Sequence, residues 1–193
     1  MGLPLRFSSP GRPRRWLLPA LAWLLAAAAA AGAQPRQAQE YEVKAAYLYN
    51  FARFTDWPPA AFPAQDAPLV VAVLGESPFG SALDALAGKT AKGRPLQVRR
   101  ARRLDELPGV HLLFIADSER GRLPVILKAL AGRPVLTVAD VPQFARQGGM
   151  IQLVSAEGAV RFEINRDAAL RAGLEISSRL LQLATLVGSE AQP

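Results

Sequence analysis

The sequence predicts an α/β fold: a three-layer sandwich with a mostly parallel, Rossmann-like sheet, helices on both faces, and a C-terminal antiparallel β-hairpin with helices. Three observations predict it. Residues 69–74 (LVVAVL) form a continuous run rich in β-branched residues, the pattern of a strand buried on both faces; 111–115 (HLLFI) reads as another buried strand and 134–138 (PVLTV) as a further one. Segments of helical periodicity separate them, as parallel crossovers require. From residue 150 the period changes to two on either side of Glu157-Gly158, which reads as a hairpin.

The elements follow in order. Residues 1–33 carry Arg6, Arg12, Arg14 and Arg15 without an acid, then an apolar run from Trp16 through an alanine tract, then Ala31-Gly32-Ala33. A basic region, an apolar stretch and a small-residue site in that order are a secretory signal peptide, with cleavage expected between Ala33 and Gln34. The apolar run is short for a membrane span of about 20 residues. Arg14-Arg15 is a poor twin-arginine match, which leaves Sec-type export. Cleavage takes the formal charge from +7 to +3 and leaves 160 of the 193 residues, so much of the high pI belongs to targeting. That length suits one domain with a hydrophobic core. The chain has no cysteine, which excludes disulfides and a lipidated cysteine anchor.

Residues 34–39 read as a polar, mobile leader, residues 40–187 as one α/β domain and residues 188–193 as a tail. Val43, Tyr47, Phe51 and Phe54 follow at spacings of four, four and three, the buried stripe of an amphipathic helix that Trp57-Pro58-Pro59 ends. After the strand at 69–74, the loop at 75–80 (GESPFG) leads to a helix through Leu83 and Leu86 that stops at Gly88. Residues 96–98 form a shorter strand. The strand at 111–115, a helix over 123–130 closed by Gly132, and the strand leading to Asp140 come next. In the second hairpin strand Val160, Phe162 and Ile164 share the packed face, while Arg161, Glu163 and Asn165 share the free one. Residues 166–187 read as helical around a break at Gly173.

Few residues assemble chemistry. Ser77-Pro78 has the form of a helix N-cap with proline at the first helical position. It also stands between strand and helix, where α/β folds bind ligands, which makes Ser77 a candidate loop contact. The loop matches neither the nucleophile elbow nor the dinucleotide fingerprint. His111 is the only histidine and opens an apolar strand, the setting of a satisfied core or strand-end imidazole rather than a general base. One histidine without cysteine does not furnish a transition-metal site. Gly88-Lys89-Thr90 lacks the earlier P-loop glycine, because position 83 is Leu83. No catalytic residue, metal or cofactor is expected, and the chain reads as a non-enzyme. Arg94, Arg99, Arg100, Arg102 and Arg103 precede Asp105-Glu106, the pattern of a solvated strand edge or of a contact for an acidic protein or envelope polymer, not for nucleic acid.

The aromatic segment offers more. Arg53 and Trp57 stand four apart, a spacing at which a guanidinium stacks on an indole, and both are frequent interface anchors. Core burial is the other reading of Trp57. A solvated face or an internal salt bridge is the other reading of Arg161, Glu163 and Asn165. These five residues form the candidate partner- or ligand-binding surface.

Two stretches carry a resemblance. Phe51, Phe54, Thr55, Asp56, Trp57 and Pro58 supply F-x-x-F-T-D-W-P, and Gly148 to Ile151 with Val160 to Asn165 supply G-G-M-I and V-R-F-E-I-N. With them the chain resembles the YfiR family over residues 40–187. The resemblance implies a periplasmic protein, acting as a dimer, that represses a membrane-bound diguanylate cyclase through the cyclase's sensor region, and thereby cyclic di-GMP signalling and biofilm formation. Better-known members carry cysteines whose redox state matters; with none here, thiol control does not transfer. Two alternatives stay open: another membrane sensor, such as a histidine kinase, as the target, and a periplasmic small-ligand binding protein for transport or sensing.

Overall fold

The computed structural model describes residues 37–156 and 158–188. The signal peptide, its cleavage site, the start of the leader and the last five residues of the tail lie outside the described residues. Helix α1 covers residues 37–53. Residues 37–39, read as mobile leader, are already helical. The buried line of α1 is Lys44, Ala45, Leu48, Phe51 and Ala52, whereas Val43 is 47% exposed and Tyr47 and Phe54 are half-buried. The stripe is therefore rotated from the one that apolar spacing predicts. The cause is Lys44, whose charge finds a carboxylate inside the fold.

Among the described residues the strands are β1 (Thr55–Asp56), β2 (Leu69–Leu74), β3 (Thr90–Ala91), β4 (Arg94–Ala101), β5 (Leu112–Ile115), β6 (Leu136–Ala139), β7 (Ile151–Ala156), β8 (Ala159–Ile164), β9 (Glu175–Ile176) and β10 (Thr185–Leu186). Three further helices are α2 (Leu123–Leu130), α3 (Arg166–Arg171) and α4 (Ser178–Leu183). Among the described residues eight strands form one mixed sheet in the order β10-β8-β7-β6-β5-β2-β4-β3, and β1 pairs with β9 apart from it. The sheet is parallel from β4 through β7 and antiparallel at β3–β4 and β7–β8, while β10 returns parallel to β8. Its five central strands stand in the order second, first, third, fourth, fifth, the other doubly wound order rather than the Rossmann one.

Strand alternation explains why β2 is apolar at every position. Leu69, Val71 and Val73 enter one core with Leu48 and Phe51 of α1, and Val70, Ala72 and Leu74 enter a second with Leu123, Ile126 and Leu130 of α2. The two motifs behind the family resemblance meet in the first core: the Phe51 ring sits edge-on to Phe162 at 5.3 Å. Gly149 fits because a side chain there would overlap the Phe144 ring, at 2.2 Å from its Cε1.

Three expectations need correction. No α-helix forms between β2 and β3; Gly80 turns to φ +52 and only a short 3₁₀ turn, Asp84–Leu86, follows. The short strand at 96–98 is instead eight residues long, because pairing with β2 continues through the arginines to Ala101. The C-terminal segment is only partly helical: beyond Gly173 it contributes β9, which closes on β1, and β10, an edge strand.

Candidate functional site

In doubly wound sheets ligands enter at the carboxyl ends of the strands where the order reverses, here between β2 and β5. That place is filled from within. Gly75, at φ +94, follows β2, and a Cβ there would lie 2.5 Å from the Ser118 Oγ, so only glycine lets the loop after β5 approach. Ser118 Oγ accepts the Glu76 N–H at 2.9 Å, and the buried Glu119 carboxylate accepts from the Arg122 guanidinium at 2.9 Å. Ser77 caps no helix, since turns follow it; its Oγ is buried without a hydrogen-bond partner among the described residues.

The carboxyl end of β6 is closed by charge. Asp140 accepts from the Lys44 Nζ at 2.6 Å and from the Tyr41 hydroxyl at 2.8 Å. The Lys44 ammonium also pairs with Glu40 at 2.7 Å, and Glu40 accepts the Ser155 hydroxyl at 2.6 Å. Lys44 is only 3% exposed, so this pairing is what makes its burial tolerable. The hydrogen bond from Lys44, followed by that from Ser155, holds the Glu40 carboxyl below its ordinary range. Burial, reinforced by the Asp140 carboxylate, pushes the Tyr41 hydroxyl up. The network ties the first turns of α1 to the sheet. Sequence reading missed it, although a lysine in register with Leu48 and Phe51 and an aspartate directly after an apolar strand are its signature.

The amino end of β5 is equally occupied. His111 Nδ1 accepts the Val70 N–H at 3.0 Å, which places the ring proton on Nε2, 3.1 Å from the Ala61 carbonyl oxygen. Phe62 stacks on the imidazole at 4.3 Å and the Arg94 guanidinium lies 3.7 Å over Phe62. Burial pushes the imidazole pKa down, and the charges of Arg94 and Arg99 add to it against the opposing pull of the Ala61 carbonyl. This is the satisfied strand-end histidine that the sequence predicts.

The candidate surface divides. Trp57 is half-buried and its Nε1–H donates to the His111 carbonyl at 3.1 Å, so it anchors the chain after α1. Arg53 does not stack on it: α1 ends at residue 53 because Thr55 and Asp56 pair with β9, and the exposed guanidinium lies 5.6 Å from both the Tyr49 and the Phe54 ring. Asn165 is fully buried rather than outward, because the strand ends at Ile164 and the chain turns into α3. Its Oδ1 caps that helix at the Ala168 N–H, 3.0 Å away, and its Nδ2 donates to the Ala145 carbonyl at 2.8 Å. Arg161 is exposed and Glu163 half-exposed, on the strand face opposite Phe162 and Ile164, with Val154 and Gln152 as their register partners. A separate apolar recess of about 250 Å³ between α2 and α3 is lined by Leu127, Leu130, Met150, Ala168 and Arg171 and includes none of these residues.

The profile of the family described as YfiR/HmsC-like matches residues 41–185. No curated protein sequence matches the chain. The matched span runs from Tyr41 of the charged network to Thr185 of β10, and so takes in both strand ends and both lateral edges of the sheet.

Proposed function

The chain belongs to the YfiR/HmsC-like family, and from that premise we propose that it is an exported periplasmic regulator that represses an inner-membrane diguanylate cyclase. The cyclase's periplasmic sensor region is the partner, the regulator acts as a dimer, and cyclic di-GMP and biofilm formation rise when repression is lost. The observation that carries this reading is the family match over nearly the whole described chain. The site geometry supports it. The loop position that would take a small ligand is filled by Ser118 and Glu119, and the lone histidine is engaged through both ring nitrogens. What remains turned outward is polar strand surface, on which Arg161 and Glu163 serve as partner contacts; Arg53 is exposed on α1, which packs against the opposite face of β8.

The test is recovery of partners. The tagged protein is captured from solubilised inner membranes, and its gene is deleted in a cyclic di-GMP reporter strain. Co-purification of a cyclase with a raised reporter signal on deletion supports the reading. Recovery of a transporter with an unchanged signal supports a binding protein for uptake instead, and recovery of a histidine kinase moves the target to another class of sensor.

A further inference from the structure

Strand β4 has an edge that the fold leaves open. Leu96 directs both its peptide groups outward: its N–H donates to the Lys89 carbonyl at 2.7 Å and its carbonyl accepts the Gly88 N–H at 3.0 Å. The two-residue strand period turns Val98 and Arg100 the same way. β3, which covers the start of this edge, pairs only with Arg94 and Pro95. The Arg102 N–H closes the far end on the Glu106 carboxylate at 3.2 Å. Between these stops no backbone hydrogen bond meets the outward groups of Val98 and Arg100 among the described residues.

Charged side chains commonly protect such edges by projecting across them. Here they are tied back. Arg100 is held by Asp84 at 2.8 Å and by the Gly80 carbonyl at 3.1 Å, and Arg99 by the Pro108 carbonyl at 3.1 Å and Gln97 at 3.0 Å. The guanidinium groups therefore frame the edge without filling it. The charge is concentrated there as well. Residues 89–106 carry seven basic side chains against two acidic ones, whereas the rest of the chain after residue 33 carries twelve against fourteen. A strongly positive strand on an otherwise slightly acidic molecule attracts acidic partners from a distance.

We propose that the outer edge of β4, from Val98 to Arg100, is a docking site for an extended acidic segment of a partner protein, which adds to the sheet as a further strand. Backbone groups of the segment hydrogen-bond to Val98 and Arg100, and its carboxylates meet the arginines on either side. A polypeptide fits this edge and an acidic polysaccharide or lipid surface does not, because only a peptide backbone alternates donors and acceptors at the strand repeat.

The test uses the purified protein and a capped hexapeptide of alternating valine and glutamate. Binding is followed by fluorescence anisotropy against salt, and amide hydrogen exchange is read at Val98 and Arg100. The peptide is expected to slow exchange at both amides and to bind less well as salt rises. Val98→Pro removes one outward N–H without touching the bonds to β2 and should weaken binding about tenfold, the value of one hydrogen bond of about 1.4 kcal/mol. Val98→Ala, which keeps the N–H, should stay within about threefold. Should Val98→Pro melt early, the exchange data on the unmodified protein decide alone. Binding without protection at Val98 and Arg100, equal binding of polyuronate or phosphatidylglycerol vesicles, or no binding at all would overturn the assignment.

Discussion

At the carboxyl ends of β2, β5 and β6, Ser118, Glu119, Lys44 and Asp140 are joined to neighbours within the chain, and at the amino end of β5 the same holds for His111 and Trp57. Along the sides of the sheet the arrangement differs. Arg161 and Glu163 stand on the β8 face turned from the core, and among the described residues β4 leaves peptide groups open between Leu96 and Arg102. A doubly wound sheet ordinarily offers its strand ends to a ligand. In this one, side chains of the same chain occupy those ends, and the polar surface named above lies along the sheet.

Substitutions can break that contrast. Leu113→Ala sets the scale: fully buried on β5 in the second core, it should lose about 2 to 5 kcal/mol of stability by denaturant titration. At the closed ends, Asp140→Ala removes the main carboxylate from a buried ammonium that keeps only Glu40, and should cost about 3 kcal/mol. A melt unchanged by Asp140→Ala would mean that this end is not locked by charge. Trp57→Ala should cost about 2 kcal/mol, because an anchoring hydrogen bond and half-buried aromatic area go together. Any signalling defect of that variant then reports folding.

The amino end also makes a pH prediction. His111 is held neutral in the fold, with its pKa below the ordinary 6.5. Above that value both folded and unfolded chains carry it uncharged. Below it the unfolded chain takes up a proton that the folded ring, accepting from Val70, does not, so stability falls as pH drops through this range. Glu40, held low by Lys44, adds its own loss only as pH falls below its ordinary 4.5. Melting temperature measured against pH should show the first decline as pH falls below about 6.5, and His111→Gln should remove it.

Much of the fold is legible in the sequence because burial on two faces leaves a plain record. β2, β5 and β6 are unbroken apolar runs and the hairpin alternates, so their places follow from pattern alone. The misread parts have particular causes. The segment after Ser77 carries Leu83 and Leu86 at helical spacing, but Gly80 in a left-handed conformation interrupts it. Asn165 continues the strand alternation in sequence while occupying the turn where a cap is required. Lys44 breaks the apolar stripe of α1 because its partner lies 96 residues away, a relation no local pattern contains. Of the candidate surface, Arg161 and Glu163 were readable from period two, whereas Trp57 and Asn165 were drawn inward by tertiary bonds.

The smallest structural effect and the most informative biological one belong to the same variant. Arg161→Ala combined with Glu163→Ala removes polar groups from the free strand face and should change stability by less than about 0.5 kcal/mol. The deciding measurement is cyclic di-GMP in a strain lacking the chromosomal gene and complemented with either the unmodified chain or this double variant, beside a melt of each protein. The account predicts that deletion raises cyclic di-GMP, that the unmodified chain restores it, and that the double variant melts normally yet fails to restore it. Full restoration by a normally folded double variant, or a deletion that leaves cyclic di-GMP unchanged, would contradict it.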